Sequence, residues 1–205
     1  MRGVKSLQAV AQSNNYLPVP FSHIHILQKL GVEADEVRLP DELDGLDGLI
    51  IPGGESTTMG KLAVNYDLIN PLRRFAGEKP VWGTCAGMIL MAKKIDRDQP
   101  LLGIMDIVVE RNAFGRQNES FEQDLFVNVL KNGDKEPFRG IFIRSPKLLE
   151  VRGKAKEIVR LTDGTPVGAL EDRLLATAFH PELTNDNRFH QYFLGLVKKI
   201  RKIMP

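Results

Sequence analysis

The strongest constraint in this sequence is a repeated switch from an apolar strand, through glycine, into a helix. "LDGLIIPGG" (46–54) is an apolar run that breaks at Pro52-Gly53-Gly54, the pattern of a strand buried on both faces. "STTMGKLAVNYDLINPLRRFAGE" follows and predicts a helix capped by Ser56, Thr57 or Thr58, with Pro71 dividing it. "KPVWGT" is a second strand, and "CAGMILMAKKI" a second helix. Strands alternating with helices imply parallel strands with helices on both faces, an α/β fold. Upstream, "HIHILQKLG" (23–31) has helical spacing and a glycine C-cap, and "VEADEVRLP" reads as a short strand closed by Pro40. From about 104 to 178 the pattern is strand-rich: "IMDIVVE", "DLFVNVL", "GIFIRSP", "TPVGAL" and "LLATAFH". "DNRFHQYFLGLVKKIRKIM" predicts a last amphipathic helix with basic residues in its final turns, which suits the helix dipole. No repeat, low-complexity tract or linker divides residues 1–205, so one domain is expected.

Composition narrows the function classes. Lys and Arg total 28 against 26 Asp and Glu, which is no nucleic-acid footprint. No apolar stretch reaches the roughly 18–20 residues that span a bilayer. "MRGVKSLQAVAQ" lacks the apolar core of a secretory signal. The single cysteine, Cys85, cannot form an internal disulfide, which fits a reducing cytoplasm.

That cysteine stands in "GTCAG", a Gly-x-nucleophile-x-Gly turn with cysteine in the serine position. Such a turn lifts the side chain above the carboxyl ends of the strands, and a helix start favours the thiolate. The competing interpretation is a small buried hydrophobe. A thiolate nucleophile needs a base, and the base needs orienting. Of four histidines, His23 and His25 lie two apart in a predicted helix and make a poor metal pair, while His190 reads as surface or edge packing. His180 closes the apolar strand "LLATAFH" and opens "HPEL"; in an extended segment Glu182 would face the same side. These residues favour a Cys85–His180–Glu182 triad, against a purely structural role for the histidine. In "IPGGESTTMG" the glycines free an inward N–H for an oxyanion, with the amide of Ala86 as second donor. The same loop lacks the Gly-Lys-Ser/Thr ending of a phosphate loop, since Leu62 follows Lys61. One cysteine and scattered histidines offer no metal set, so none is expected.

Taken together, "PGGEST", "GTCAG", "RNAFGRQ…SFE", "IFIRSP" and "FHPELT" resemble the glutaminase subunits of pyridoxal 5′-phosphate synthase, within the class I glutamine amidotransferases. The triad elements point only to the wider class; "RNAFGRQ" (111–117) and "FIRSP" (142–146) carry the narrower resemblance, which runs from about His23 to the C-terminus. It implies a flavodoxin-like fold with a mostly parallel central sheet. It further implies that Cys85, His180 and Glu182 are the triad and that Gly54, Glu55 and Ser56 hold L-glutamine. Arg111 and the Ile143–Arg144 pair match further glutamine-contacting positions, and Gly54 and Ala86 the oxyanion donors. The resemblance implies no cofactor, and a synthase subunit (PdxS-like) as partner, its twelve-membered core decorated by glutaminases. The N-terminus departs from the family pattern. Leu7-Gln8 is kept, but Ala9 stands in a glycine position, Lys5 and Ser6 where a strand wants apolar residues, and Ser22 in place of a glutamate. The segment before His23 is about nine residues longer than in the resembled family, and "SNNYLPVP" reads as an irregular loop. Any coupling role of Gln8 is therefore open. Two other readings share these residues: a glutaminase serving another acceptor, or a non-catalytic regulatory module.

Overall fold

The structure is a computed structural model that describes residues 4–6, 23–111 and 120–203. Its first half alternates as expected. The strands β1 (Val4–Ser6), β2 (Gly48–Ile51) and β3 (Val81–Thr84) are separated by the helices α1 (His23–Lys29), α2 (Ser56–Asn65) and α3 (Ile69–Glu78). After β3 come α4 (Ala86–Met91), the strands β4 (Ala92–Ile95), β5 (Met105–Glu110), β6 (Ser120–Leu125), β7 (Phe138–Ile143), β8 (Lys147–Val151), β9 (Lys156–Arg160), β10 (Pro166–Glu171) and β11 (Leu174–Thr177), and finally α5 (Arg188–Ile203).

The central sheet runs β1-β2-β3-β11-β10-β9. The pairs β1–β2, β2–β3 and β3–β11 are parallel, and β10 and β9 extend the sheet antiparallel. Every residue of β2, β3 and β11 is buried, as the continuous apolar runs require. A β4-β5-β8 sheet and a β6–β7 pair flank it. α5 closes the core with Phe189, Phe193 and Val197, spaced four apart on one buried face; a Cβ on Gly48 would stand 2.8 Å from Val197.

Several local expectations are corrected. "VEADEVRLP" makes only an isolated bridge at Glu36, and the Arg38 and Leu39 amides turn instead to the Glu42 carboxylate. The divided helix breaks at Asp67, whose φ is +54°, so Pro71 falls inside the first turn of α3, where its missing N–H has no helical partner to lose. α4 stops at Met91, and "AKKI" is strand β4, paired parallel to β5. Because all of α4 is buried, its end leaves no amphipathic trace. "DLFVNVL" supplies only the end of β6; Val127 then joins a turn with Gly133, which packs so closely that a Cβ there would lie 1.8 Å from the Val127 oxygen. β8 and β9 are strands that the pattern did not single out. Lys5 and Ser6 do belong to β1, while Gln8, Ala9, Ser22 and "SNNYLPVP" lie outside the described residues.

Candidate active site

β3 delivers Cys85 to the carboxyl end of the sheet, where its backbone takes φ +49° and ψ −107°. A non-glycine residue holds such a conformation only where its surroundings fix it. The Cys85 amide donates to the Thr177 oxygen (2.8 Å), and two glycines let the elements on either side close in. A Cβ on Gly83 would lie 2.6 Å from the Gly87 backbone, and one on Gly87 would lie 1.9 Å from the Ile51 oxygen. The Gly-x-Cys-x-Gly spacing is thus a packing requirement between β2, β3 and α4. Ala86 is the first residue of α4, and its amide has no carbonyl to meet within that helix.

β11 ends at Thr177, three residues before His180, and the chain continues into a 3-10 turn over Pro181–Leu183. His180 and Glu182 therefore meet across a turn and not along an extended strand, which corrects the expected geometry while keeping the contact. The His180 amide is pinned to the Ile141 oxygen of β7 (2.9 Å), and its Nδ1 lies 2.8 Å from Glu182 Oε1. The imidazole also faces Cys85, whose interaction with it raises its affinity for a proton. The Cys85 thiol points to the Ile143 oxygen at 4.0 Å, so β7 touches both members of the pair. Gly53 seals the other side, since a Cβ there would stand 2.5 Å from His180 Cε1 and 3.5 Å from the Cys85 Cβ. Cys85, His180 and Glu182 are brought together, nearly buried at one end of the sheet.

Electrostatics in this pocket favour charge separation. Burial pulls the His180 imidazole down, but its interactions with Cys85 and with the hydrogen-bonded Glu182 carboxylate outweigh this and raise it to about 10. Burial pushes the Glu182 carboxyl up, yet the facing His23 ring and the hydrogen bond and charge of His180 outweigh it and keep the group well below the usual carboxylate range. The arrangement suits an ionised carboxylate orienting an imidazole that can carry or transfer a proton beside a thiol.

A second cluster sits on the adjoining loop. Glu55, not Ser56, Thr57 or Thr58, caps α2: its longer side chain reaches back to the amides of Thr57 (3.0 Å) and Thr58 (2.7 Å). Burial opposes its charge, but bonds from Thr58 and Thr57 together outweigh this and lower it to about 2. Arg111 reaches Glu55 (2.9 Å), Thr57 (2.6 Å) and Gln99 (2.7 Å), and Ser56 donates to Gln99 at 3.3 Å. Gln99 was not singled out by the sequence; its partners lie 42, 43 and 12 residues away, so no local pattern reveals it. Gly54 has φ +154°, a conformation left to glycine. Ile143 is half-exposed, and Arg144 sits at φ +44° directly after it. Of "RNAFGRQ", only Arg111 is among the described residues.

The largest departure from expectation concerns histidines. His190 is not at the surface but fully buried, and His23 is 3 % exposed. His23 Nδ1 lies 3.0 Å from His190 Nε2, and His23 Nε2 lies 3.3 Å from both Glu182 Oε2 and Thr84 Oγ1. The 167 residues between the two rings hid this contact from any sequence pattern. Among the described residues, no group of three His, Cys, Asp or Glu side chains is arranged to hold a metal ion, and no helix is long and apolar enough to cross a membrane.

A subunit PdxT of pyridoxal 5′-phosphate synthase from Herpetosiphon aurantiacus is 53% identical over 179 residues, covering 85% of this chain and 93% of that protein. Its counterpart from Geobacillus thermodenitrificans is 44% identical over 203 residues, 98% of this chain and 97% of that protein. A crystal structure of a glutamine amidotransferase superposes with a TM-score of 0.80 at 46% identity, over 86% of this chain and 92% of that one. A Thermoplasma acidophilum protein named for GMP synthase shares the fold, with a TM-score of 0.69 at 19% identity over 99% of this chain and 97% of that one. The model of the SNO glutamine amidotransferase family matches residues 20–199. The chain belongs to the SNO glutamine amidotransferase family.

Proposed function

We propose that this chain is the glutaminase subunit of a pyridoxal 5′-phosphate synthase, a single domain that hydrolyses L-glutamine in the cytoplasm and passes ammonia to a PdxS-like synthase subunit. The observation that carries the reading is Glu182 holding the His180 imidazole beside Cys85, with both side chains packed around Gly53. The Cys85 thiolate attacks the side-chain amide carbon of glutamine, and the amides of Gly54 and Ala86 receive the developing oxyanion. His180 gives its proton to the departing nitrogen, so ammonia leaves and a thioester forms on Sγ. His180 then takes a proton from water, whose oxygen attacks the thioester; glutamate departs and the thiolate returns. Glu182 keeps the imidazole oriented through both halves.

Glutamine carries its own carboxylate and ammonium, and the loop beside the triad offers matching groups. Glu55, Ser56 and Arg111 are assigned to hold those ends, with the Ile143–Arg144 backbone lining the side chain. Glu55 and Arg111 already neutralise one another, so substrate would enter by sharing that pair. Gln8 is assigned to coupling with the synthase, whose expected form is a twelve-membered core decorated by glutaminases.

The test is glutamate release measured with the chain alone and after mixing with a synthase subunit from a PdxT-containing organism. Weak release alone, strong stimulation on mixing and none for Cys85→Ala are expected. Stimulation absent with every such synthase would assign the chain to another acceptor, and turnover by Cys85→Ala would remove Cys85 from the reaction.

A further inference from the structure

The triad does not end at Glu182. One oxygen of that carboxylate, Oε1, is taken by His180 at 2.8 Å. The other, Oε2, is buried and has no well-aligned hydrogen bond among the described residues, yet His23 Nε2 lies 3.3 Å from it. A buried carboxylate oxygen left without a donor is costly, so the group aimed at it matters. Catalytic hydrogen bonds in an empty site are often long and tighten when substrate binds.

The tautomer follows from the partners. Only one of His23 Nδ1 and His190 Nε2 can bear the proton between them. If His23 Nδ1 carried it, the neutral ring would turn a lone pair from Nε2 toward an anionic oxygen. His190 would also bury an N–H at Nδ1, an atom with no partner among the described residues. If His190 Nε2 carries it, His23 bears an Nε2–H that aligns on Thr84 Oγ1 with Glu182 Oε2 at the same 3.3 Å, and only a lone pair on His190 Nδ1 goes unused. The second arrangement is favoured on both counts. Burial, the dominant influence on His23, lowers it despite the neighbouring carboxylate, so it meets Glu182 as a neutral donor. Burial likewise holds His190 down, at about 3.

We infer that His23 is a positioning residue of the triad, its Nε2–H holding the second oxygen of Glu182, and that His190 fixes the tautomer that makes this possible. The inference rests on the triad assigned above. The groups facing His23 are His190 from α5, Glu182 from the turn after β11, and Thr84 and Trp82 from β3, with His180 acting through its charge. The first helix and the last thus clamp the carboxylate from behind. A carboxylate free to rotate would hold the imidazolium less well, and the thiolate with it.

Two measurements on His23→Leu, His23→Gln and His190→Leu test this. The first is the pH dependence of Cys85 alkylation by iodoacetamide, which reports the thiol–imidazole pair and needs no glutamine turnover. The second is kcat and KM for glutamine in the synthase-bound enzyme. Outer partners of this kind typically cost ~10–100-fold when lost, so His23→Leu is expected to lower kcat about tenfold with KM within about twofold. The upper limb of its alkylation profile, where the imidazolium gives up its proton, should fall by about one pH unit, since the imidazolium is less stabilised. His23→Gln, which can still donate an N–H, should stay close to the parent in both. His190→Leu should lower that midpoint by about half as much, and it carries the test if His23→Leu does not fold. An unshifted midpoint in the folded leucine variants, or an equal loss in His23→Gln and His23→Leu, would overturn the inference. If the parent hydrolysed no glutamine, the glutaminase reading would fail, while the alkylation shift would still decide the role of His23.

Discussion

Gly87 faces the main chain of Ile51 so closely that a Cβ on it would stand 1.9 Å from the Ile51 carbonyl oxygen. The contact joins the first turn of α4 to the end of β2, and Cys85 sits directly before that turn. Backbone on both sides leaves nothing flexible to yield. Gly87→Ala is expected to destabilise the fold by ~2–4 kcal/mol, read by urea denaturation, as steric insertion into packed backbone commonly does. Gly77→Ala is the control: a Cβ there meets nothing within 4 Å, and helical propensity favours alanine.

The backbone of Cys85 makes a separable prediction. At φ +49° an L-residue is strained, and glycine is not. Cys85→Gly and Cys85→Ala should both be inactive, but the glycine variant should be the more stable by about 1 kcal/mol, since relief of left-handed strain exceeds the added chain entropy. Equal stability would mean that the turn imposes no strain.

Arg111 ties Glu55, Thr57 and Gln99 into one patch beside the triad. Arg111→Ala is expected to raise KM for glutamine by about tenfold or more with a smaller effect on kcat, the mark of lost substrate binding. An unchanged KM would confine Arg111 to bracing the loop.

Acid should destabilise the protein through its buried histidines. His190 is lowered by burial, to about 3 from an ordinary 6.5, so the unfolded chain binds the proton first. Stability therefore rises with pH up to 6.5 and is lost as pH falls below it, by ~1.4 kcal/mol per pH unit for one such proton. His23 is lowered in the same direction. Between pH 7 and pH 5 the parent should lose up to ~2 kcal/mol more unfolding free energy than His190→Leu, measured by denaturant titration at each pH. Identical losses would contradict a buried, neutral His190.

What the sequence revealed and what it hid divide along the range of the interaction. The Gly83–Cys85–Gly87 turn was legible because its glycines and cysteine are neighbours in the chain. The His180–Glu182 pair was legible for the same reason, although a 3-10 turn and not a strand brings the two together. His23 and His190 carry no local sign of their role, one standing beside His25 and the other in an amphipathic helix. Packing α1 against α5 is a tertiary event with no signature in either segment. The cap of α2 is not among the three hydroxyl residues that the pattern favours, because a glutamate one position earlier reaches the same amides. The end of α4 was invisible for want of an exposed face, and β4 began where helical propensity favoured continuation.

The central claim is that Cys85 is the nucleophile toward the glutamine side chain. The most direct measurement is intact-protein and peptide mass spectrometry after incubation with a glutamine analogue bearing a chloroketone in place of the side-chain amide. The expected result is one adduct per chain, on Cys85, slowed by excess glutamine and absent in His180→Ala at neutral pH. Labelling elsewhere, or labelling of Cys85 that glutamine fails to slow, would contradict the claim.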